Sequence, residues 1–176
     1  MNPLIQTTFF GYPSNVFWAS STSNTRLTSV KTDGYNKIYV VGYNPTGNLD
    51  VKLFNHDYYG SVNWQRTIGS SVGDGSGQIA IDNSNNIYIS GDTTDNPSST
   101  YWGVSVKYDS SGSLQWQRRL TGYTGGTRSK GVVVDSSNNQ YYCGYTDITS
   151  PSNYQSFFYK RNSSGTLQWN RIFGTT

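Results

Sequence analysis

The sequence predicts an all-β fold, a β-propeller-like array of three four-stranded antiparallel blades that follow an N-terminal arm. The first observation is a repeat. Trp64, Trp116 and Trp169 recur at intervals of 52 and 53 residues, and a glycine lies four residues before each. A period near fifty residues indicates supersecondary units that bury their apolar faces against one another.

The second observation is the composition. Only 34% of the 176 residues are hydrophobic, yet 15% are aromatic, and they occur in short runs between Gly, Ser, Asn and Asp. Disordered chains are poor in aromatic residues. Short aromatic and β-branched runs between turn residues are typical of all-β proteins.

A third observation fixes the unit boundaries. Asp33, Asp82 and Asp135 recur at intervals of 49 and 53 residues, and each precedes a tyrosine-containing run that ends in glycine. The order of the two motifs is the same in every unit. We therefore divide the chain into an N-terminal arm or hairpin, 1-27, and a repeat domain, 28-176. The three units cover approximately 28-69, 78-122 and 131-174.

Each unit is predicted to contain four strands, a to d. In the middle unit these are 78–81, 86–92, 103–108 and 113–120, and strand d alternates in the period of two that strands require. No segment has apolar residues at helical spacing, so no helix is predicted.

The predicted turns have a physical basis in their residue types. Asp109 and Gly112 are expected to close the c–d hairpin, since Asp bonds its own backbone and Gly adopts positive φ. The repeated Asp33, Asp82 and Asp135 are expected to close the a–b turns. Calcium binding is the alternative, and it would need several converging oxygens.

Two sequence patterns resemble a known repeat. They are Asp-x-x-x-Asn-x-Tyr and Lys-Tyr-Asp-x-x-Gly-x-x-x-Trp, the latter matched best from Val106 to Trp116. Units with these patterns resemble the SBBP-type β-propeller repeats, and the resemblance covers 28–174. The first unit departs from it at Phe54-Asn55-His56, and the third has Lys160-Arg161-Asn162. Such repeats occur in bacterial surface proteins and in bacteriophage structural proteins. This chain is more similar to the latter, because it is short and has no recognisable secretion signal.

Charge and termini narrow the expected partners. The net charge is +3, and the densest basic group, Arg118, Arg119, Arg128 and Lys130, is too sparse for a phosphate track. No nucleic acid is therefore expected. Residues 1–10 lack a signal-peptide pattern, and no stretch approaches the roughly 20 apolar residues of a membrane helix. We expect synthesis in the host cytoplasm without membrane insertion.

Catalytic chemistry is not expected. The chain has one histidine, His56, and one cysteine, Cys143, with no paired carboxylates at a telling spacing. The sequence therefore predicts no enzyme, no metal site and no cofactor. His56 is expected to be exposed at a strand end. Cys143 occupies the position of Val41 and Ser90 in the other units, so it is expected to be buried, with a reactive thiol as the alternative.

Aromatic residues beside the b–c loops, 93–101 and 146–154, are candidate ligand-binding residues: Tyr101, Trp102, Tyr145 and Tyr154. Tyr and Trp can stack on sugar rings or form a protein interface. Packing within the blade is the alternative.

Three blades are too few to close a propeller, which typically has four to eight. Unpaired edges and faces favour association. The apolar residues of the N-terminal arm are candidate assembly residues: Ile5, Phe9, Phe10, Phe17 and Trp18. The leading hypothesis is a non-enzymatic structural component of a bacteriophage virion, a tail-fibre, knob or capsid-decorating protein that binds itself or other virion proteins. The alternative is an oligomeric carbohydrate-binding propeller lectin that recognises a surface glycan.

Overall fold

The computed structural model describes residues 25–44, 50–69, 75–94, 101–120, 126–147 and 154–174, which form twelve β-strands. Strands β1 to β4 are Arg26–Thr32, Ile38–Tyr43, Val51–His56 and Val62–Ile68. Strands β5 to β8 are Gly75–Ile81, Ile87–Thr94, Tyr101–Tyr108 and Leu114–Arg119. Strands β9 to β12 are Thr127–Val134, Gln140–Asp147, Tyr154–Arg161 and Leu167–Phe173. Each set of four forms one antiparallel sheet in chain order, and we call these sheets blades 1, 2 and 3. The predicted all-β fold is confirmed.

The a–b turns are closed by the repeated aspartates, as the sequence predicts. In blade 2, Asp82 Oδ1 accepts hydrogen bonds from the backbone N–H groups of Ser84 and Asn86, both at 2.9 Å. Its Oδ2 accepts one from the hydroxyl of Tyr88 at 2.9 Å. Asn85 has a φ of 59°, the left-handed conformation that asparagine tolerates well. The carboxylate thus joins the turn to strand β6.

The c–d turns also follow the prediction. Asp109 Oδ1 accepts hydrogen bonds from the backbone N–H groups of Ser111 and Ser113, at 2.9 and 3.0 Å. Gly112 has a φ of 79°, and Gly60 and Gly165 have similar values in the other blades. These hydrogen bonds hold the pKa of Asp109 below its usual value, with the Ser111 hydroxyl as the main cause.

The strands beside the b–c loops are longer than the sequence predicts. β6 continues to Thr94 and β7 begins at Tyr101, where the two residues pair directly. Tyr101 and Trp102 therefore lie within a strand and not in a loop. In blade 3, Tyr145 and Tyr154 likewise belong to β10 and β11.

The blades pack face against face through two seams. Strand β5 of blade 2 packs on β1 and β2 of blade 1, and β9 of blade 3 packs on β5, β6 and β7 of blade 2. We call the side of a blade that meets the preceding blade its front face, and the side that meets the following blade its back face. Equivalent positions define the same faces on the terminal blades.

Seam 1–2 is filled by apolar side chains. The back face of blade 1 contributes Tyr39, Val41, Val51 and Leu53, and the front face of blade 2 contributes Ile79, Ile87, Ile89, Val106 and Tyr108. All nine side chains are buried. Burial of apolar surface is thus the main stabilising contribution to this seam.

Seam 2–3 mixes apolar and polar side chains. Tyr88, Trp116 and Leu120 of blade 2 pack with residues that include Tyr142 and Tyr159 of blade 3, whose rings stack at 4.9 Å. The front face of blade 3 has polar residues where that of blade 2 has apolar ones. Gln140 stands at the position of Ile87, and Arg161 stands at that of Tyr108. Both are buried. The guanidinium Nη2 of Arg161 donates a hydrogen bond across the seam to the Arg119 carbonyl at 3.3 Å.

The three repeat tryptophans lie on β4, β8 and β12, the outermost strand d of each blade, as predicted. Trp116 is buried, whereas Trp64 and Trp169 are only half-buried. Every described element is a strand. The described segments hold no helix that is long and apolar enough to span a membrane.

Candidate functional site: the two outer blade faces

One contact between tryptophan and turn is made twice in the chain. Gly112, in the c–d turn of blade 2, lies against the ring of Trp64, and Gly165, in the turn of blade 3, lies against the ring of Trp116. A side-chain Cβ at either glycine would come within about 3 Å of the ring. Arg66 Nε also donates a hydrogen bond to the Gly112 carbonyl at 2.6 Å. The strand d tryptophans of blades 1 and 2 therefore each contact the c–d turn of the following blade.

The front face of blade 1 has no blade on it among the described residues. Val30 occupies the position of Ile79 and Val132 in the later blades, as the strand pairing shows. Val30 is 59% exposed, whereas Ile79 and Val132 are 1% and 4% exposed. Val40 and Phe54 on the same face are half-buried. This face is apolar where the equivalent faces form seams.

The back face of blade 3 is open in the same way. Phe173 occupies the position of Leu120 and is 59% exposed, against 1% for Leu120. Beside it Trp169 forms an aromatic cluster with Phe158 at 5.3 Å and Tyr141 at 6.3 Å between ring centroids. An exposed apolar surface rimmed by polar groups is typical of an interaction site.

The structure corrects the prediction for Cys143, which is exposed. Its equivalents Val41 and Ser90 are fully buried, because each lies on a back face that the following blade covers. Cys143 lies on the back face of blade 3, where no described blade follows. Its exposure therefore reflects a back face that no described blade covers.

The prediction for His56 is also wrong, since this side chain is buried. Its Nδ1 atom lies 3.1 Å from the carbonyl oxygen of Gly60, inside the c–d turn of blade 1. His56 stands on the front face of blade 1, at the position that the buried Tyr108 occupies in blade 2. No group of three or more His, Cys, Asp or Glu side chains suited to a metal ion occurs in the described residues.

The structure does not bring Tyr101 and Trp102 together. As neighbours in a strand they point to opposite faces of blade 2. Arg128 of blade 3 stacks on Tyr101, with its Cζ 3.5 Å from the ring centroid, and Arg119 lies 5.2 Å from the ring of Trp102. Both rings are half-buried. Packing within the array accounts for this pair.

Tyr145 and Tyr154, in contrast, lie together on the back face of blade 3. Their rings meet edge to face at 5.3 Å between centroids, and Tyr154 is exposed. The predicted assembly residues Ile5, Phe9, Phe10, Phe17 and Trp18 all fall outside the described residues. Their role stays a prediction.

An ion cluster in seam 2–3 was not identified from the sequence. Asp92 is buried, and its carboxylate lies 2.6 Å from Lys130 Nζ and 3.6 Å from Arg128 Nη1. Burial raises the pKa of Asp92, while the two cations act against this shift. Only this blade has an aspartate after its strand-b glycine, so the repeat pattern gives no signal for it.

The buried tyrosines predict a loss of stability in alkali. Burial and the neighbouring Asp33 raise the pKa of Tyr39 to about 12 from the ordinary 10.0. This group therefore stabilises the folded state fully below about pH 10, and its contribution is lost as the pH rises through 12. As the pH rises from about 9 to about 11.5, the free energy of unfolding should fall less for Tyr39→Phe than for the wild type. Urea unfolding measures this difference. Tyr35→Phe, at an exposed position, should follow the wild type, and an identical slope for all three proteins would contradict the prediction.

No model of a protein family matches the sequence, and no curated protein matches it. Among solved structures, the chain is similar to a protein of unknown function from Bacteroides caccae, with 8% sequence identity and a TM-score of 0.34. That similarity covers 90% of this chain and 72% of the other.

Proposed function

We propose that the protein is a non-enzymatic structural component of a bacteriophage virion, a tail-fibre, knob or capsid-decorating protein that acts through protein–protein assembly. The observation that carries the proposal is the pair of outer blade faces, where, within the described residues, apolar side chains stay exposed at positions that are buried in seams elsewhere in the chain. Exposed apolar side chains on a sheet face suit protein contacts. The resemblance of the repeats to those of bacteriophage structural proteins supports the virion as the place of assembly.

A cleft between blades 1 and 2, lined in part by Val51, Ile68 and Val104, has a volume of about 50 Å³. Pockets for small molecules usually have volumes of roughly 300–1,000 Å³. This cleft is too small for a sugar ring or a nucleotide.

The proposal is tested on phage particles. Particles released from the host that carries the gene are purified on a density gradient and analysed by quantitative mass spectrometry and immunogold labelling. The chain is expected in the particle fraction at a fixed ratio to the major capsid protein, with label at one morphological site. Recovery only in the soluble fraction of the lysate would contradict the proposal.

A second candidate, a carbohydrate-binding lectin, is favoured by the exposed pair Tyr145 and Tyr154. Edge-to-face rings with one open face can stack on a sugar. In a glycan array, a lectin would bind a defined glycan, and Tyr154→Ala would abolish that binding. Tyr35→Ala would leave it unchanged, because Tyr35 is an exposed turn residue of blade 1. Equal signals for the wild type and Tyr154→Ala would exclude this use of the pair.

A further inference from the structure

The two outer faces carry complementary halves of the contact that joins blades inside the chain. Trp64 and Trp116 each lie on the glycine turn of the following blade. Trp169, the last of the series, has no following turn among the described residues. The turn at Gly60, the first of the series, receives no tryptophan from them. Gly60 has a φ of 87°, close to those of the two glycines that receive a ring.

We propose that a second copy of the chain docks head to tail, with Trp169 of one copy on the Gly60 turn of the other. The inference rests on the proposed function, because it names the partner of the faces through which the protein assembles. The docked surfaces repeat the contact already formed at seams 1–2 and 2–3. A second copy is therefore the partner that fits these faces, because the chain already forms the same contact between its own blades.

A second pair of residues supports the same docking. In seam 2–3, Arg128 at the start of strand a stacks on Tyr101 at the start of strand c of the preceding blade, at 3.5 Å. Arg26 occupies the position of Arg128 in blade 1, and Tyr154 occupies that of Tyr101 in blade 3. Docking would bring Arg26 of one copy onto Tyr154 of the other. The cation and the ring are thus present at the two ends that need them.

The apolar positions agree with this arrangement. Val30 and Phe173 are exposed on the two outer faces, while their equivalents Ile79 and Leu120 are buried in seams. The interface pairs two different surfaces, so it forms rings where the rotation closes and open arrays where it does not. Two copies would supply six blades, within the usual range of closed propellers.

Two single variants separate the two faces. Trp169→Ala removes the ring from the back face, and Val30→Glu places a charge on the front face at an exposed position that tolerates it in the monomer. The matched control is Val62→Glu, on the same blade and the same face. Its equivalents Leu114 and Leu167 stay 53% and 40% exposed even though their blades are docked, so docking would not bury this charge.

The expected results follow from the head-to-tail geometry. Sedimentation velocity should show association of the wild type and of Val62→Glu. Trp169→Ala or Val30→Glu alone should weaken association on the order of 100-fold, as loss of a central anchor residue does. An equimolar mixture of the two weakened variants should form a heterodimer. The Val30→Glu copy keeps an intact back face and the Trp169→Ala copy an intact front face, so the mixture restores one interface.

Cys143 supplies an independent readout, because the equivalent Val41 and Ser90 are buried by the following blade. In the wild type, the rate of maleimide labelling should fall at least about tenfold at concentrations where the chains associate. In the mixture, only the Val30→Glu copy should be protected. The two copies differ in mass, so mass spectrometry assigns the label to each.

Four outcomes would overturn the docking proposal. Association that neither variant weakens would place the contact on another surface, and the proposed structural function would stand. Protection of Cys143 in a monomer would show that the chain's own residues cover the face. A wild type that is monomeric with a reactive Cys143, or a mixture that fails to associate, would also exclude it. The particle experiment decides the proposed function independently of all four.

Discussion

Replacing Trp116 with alanine is expected to lower the free energy of unfolding by about 3–5 kcal/mol, the usual cost of deleting a buried tryptophan. The ring lies in seam 2–3, against the Gly165 turn on one side and 6.2 Å from the ring of Tyr88. Its loss would leave a cavity between two blades and not within one. Blade 3 should therefore become the less protected part of the molecule, measured by urea unfolding together with amide hydrogen exchange.

The control for Trp116→Ala is Ser110→Ala, in the c–d turn of the same blade. Ser110 is exposed, and the change should alter the free energy of unfolding by less than about 0.5 kcal/mol. Equal stability of the two variants would show that the ring adds nothing to the seam. Uniform exchange across all three blades would contradict the localised effect.

Asp82→Ala is expected to lower the free energy of unfolding by about 2–4 kcal/mol. The carboxylate is buried and accepts four hydrogen bonds. Two come from the backbone N–H groups of Ser84 and Asn86, and two come from the side chains of Asn86, at 2.8 Å, and Tyr88. Alanine would leave these donors without their acceptor, and the Tyr88 hydroxyl lies in the core of seam 2–3. Loss of an acceptor for buried donors costs more than loss of an exposed hydrogen bond.

Asp57→Ala is the comparison, because Asp57 is a half-buried turn residue whose Oδ1 accepts a hydrogen bond from the Ser61 N–H at 2.8 Å. This change should cost about 1 kcal/mol. Thermal and urea unfolding of both variants would measure the difference. A cost for Asp82→Ala no greater than that for Asp57→Ala would mean that the a–b turn is not the stronger of the two.

The local parts of the fold could be predicted because they depend on residues close in the chain. A turn is fixed within five residues by an aspartate that accepts hydrogen bonds from the backbone N–H groups two and four residues later, or by a glycine at positive φ. The a–b turn at Asp82 and the c–d turn at Asp109 illustrate this. Because the unit repeats three times, each local inference applies to all three blades. The number of strands and their order could therefore be predicted.

The parts that failed depend on neighbours that a repeat conceals. Cys143 was assigned the burial of Val41 and Ser90 because the three occupy one position in the unit. That inference assumes that each unit has the same neighbours, whereas no described blade follows blade 3. The prediction for His56 failed for a different reason. A polar side chain near a turn was expected to be exposed, but this ring contacts the c–d turn and is buried.

The candidate ligand residues show a similar limit. The Thr-, Ser- and Pro-rich stretch between β6 and β7 resembles a loop, so Tyr101 and Trp102 were placed beside it. Strand pairing extends to Thr94 and Tyr101, which sends the two aromatic side chains to opposite faces. The Asp92 cluster escaped prediction because its partners lie 36 and 38 residues away and only the packing of blades brings them together.

The unlike chemistry of the two seams has a consequence for how the chain reaches its fold. Tandem units of similar sequence risk exchanging partners, and such misassembly is a characteristic failure of repeat proteins. Here blade 3 placed on blade 1 would bury the polar side chains of Gln140 and Arg161 against Val41 and Leu53. Burying polar groups against an apolar surface is costly. The two seams therefore differ in the side chains that they accept, and this difference favours one order of the blades.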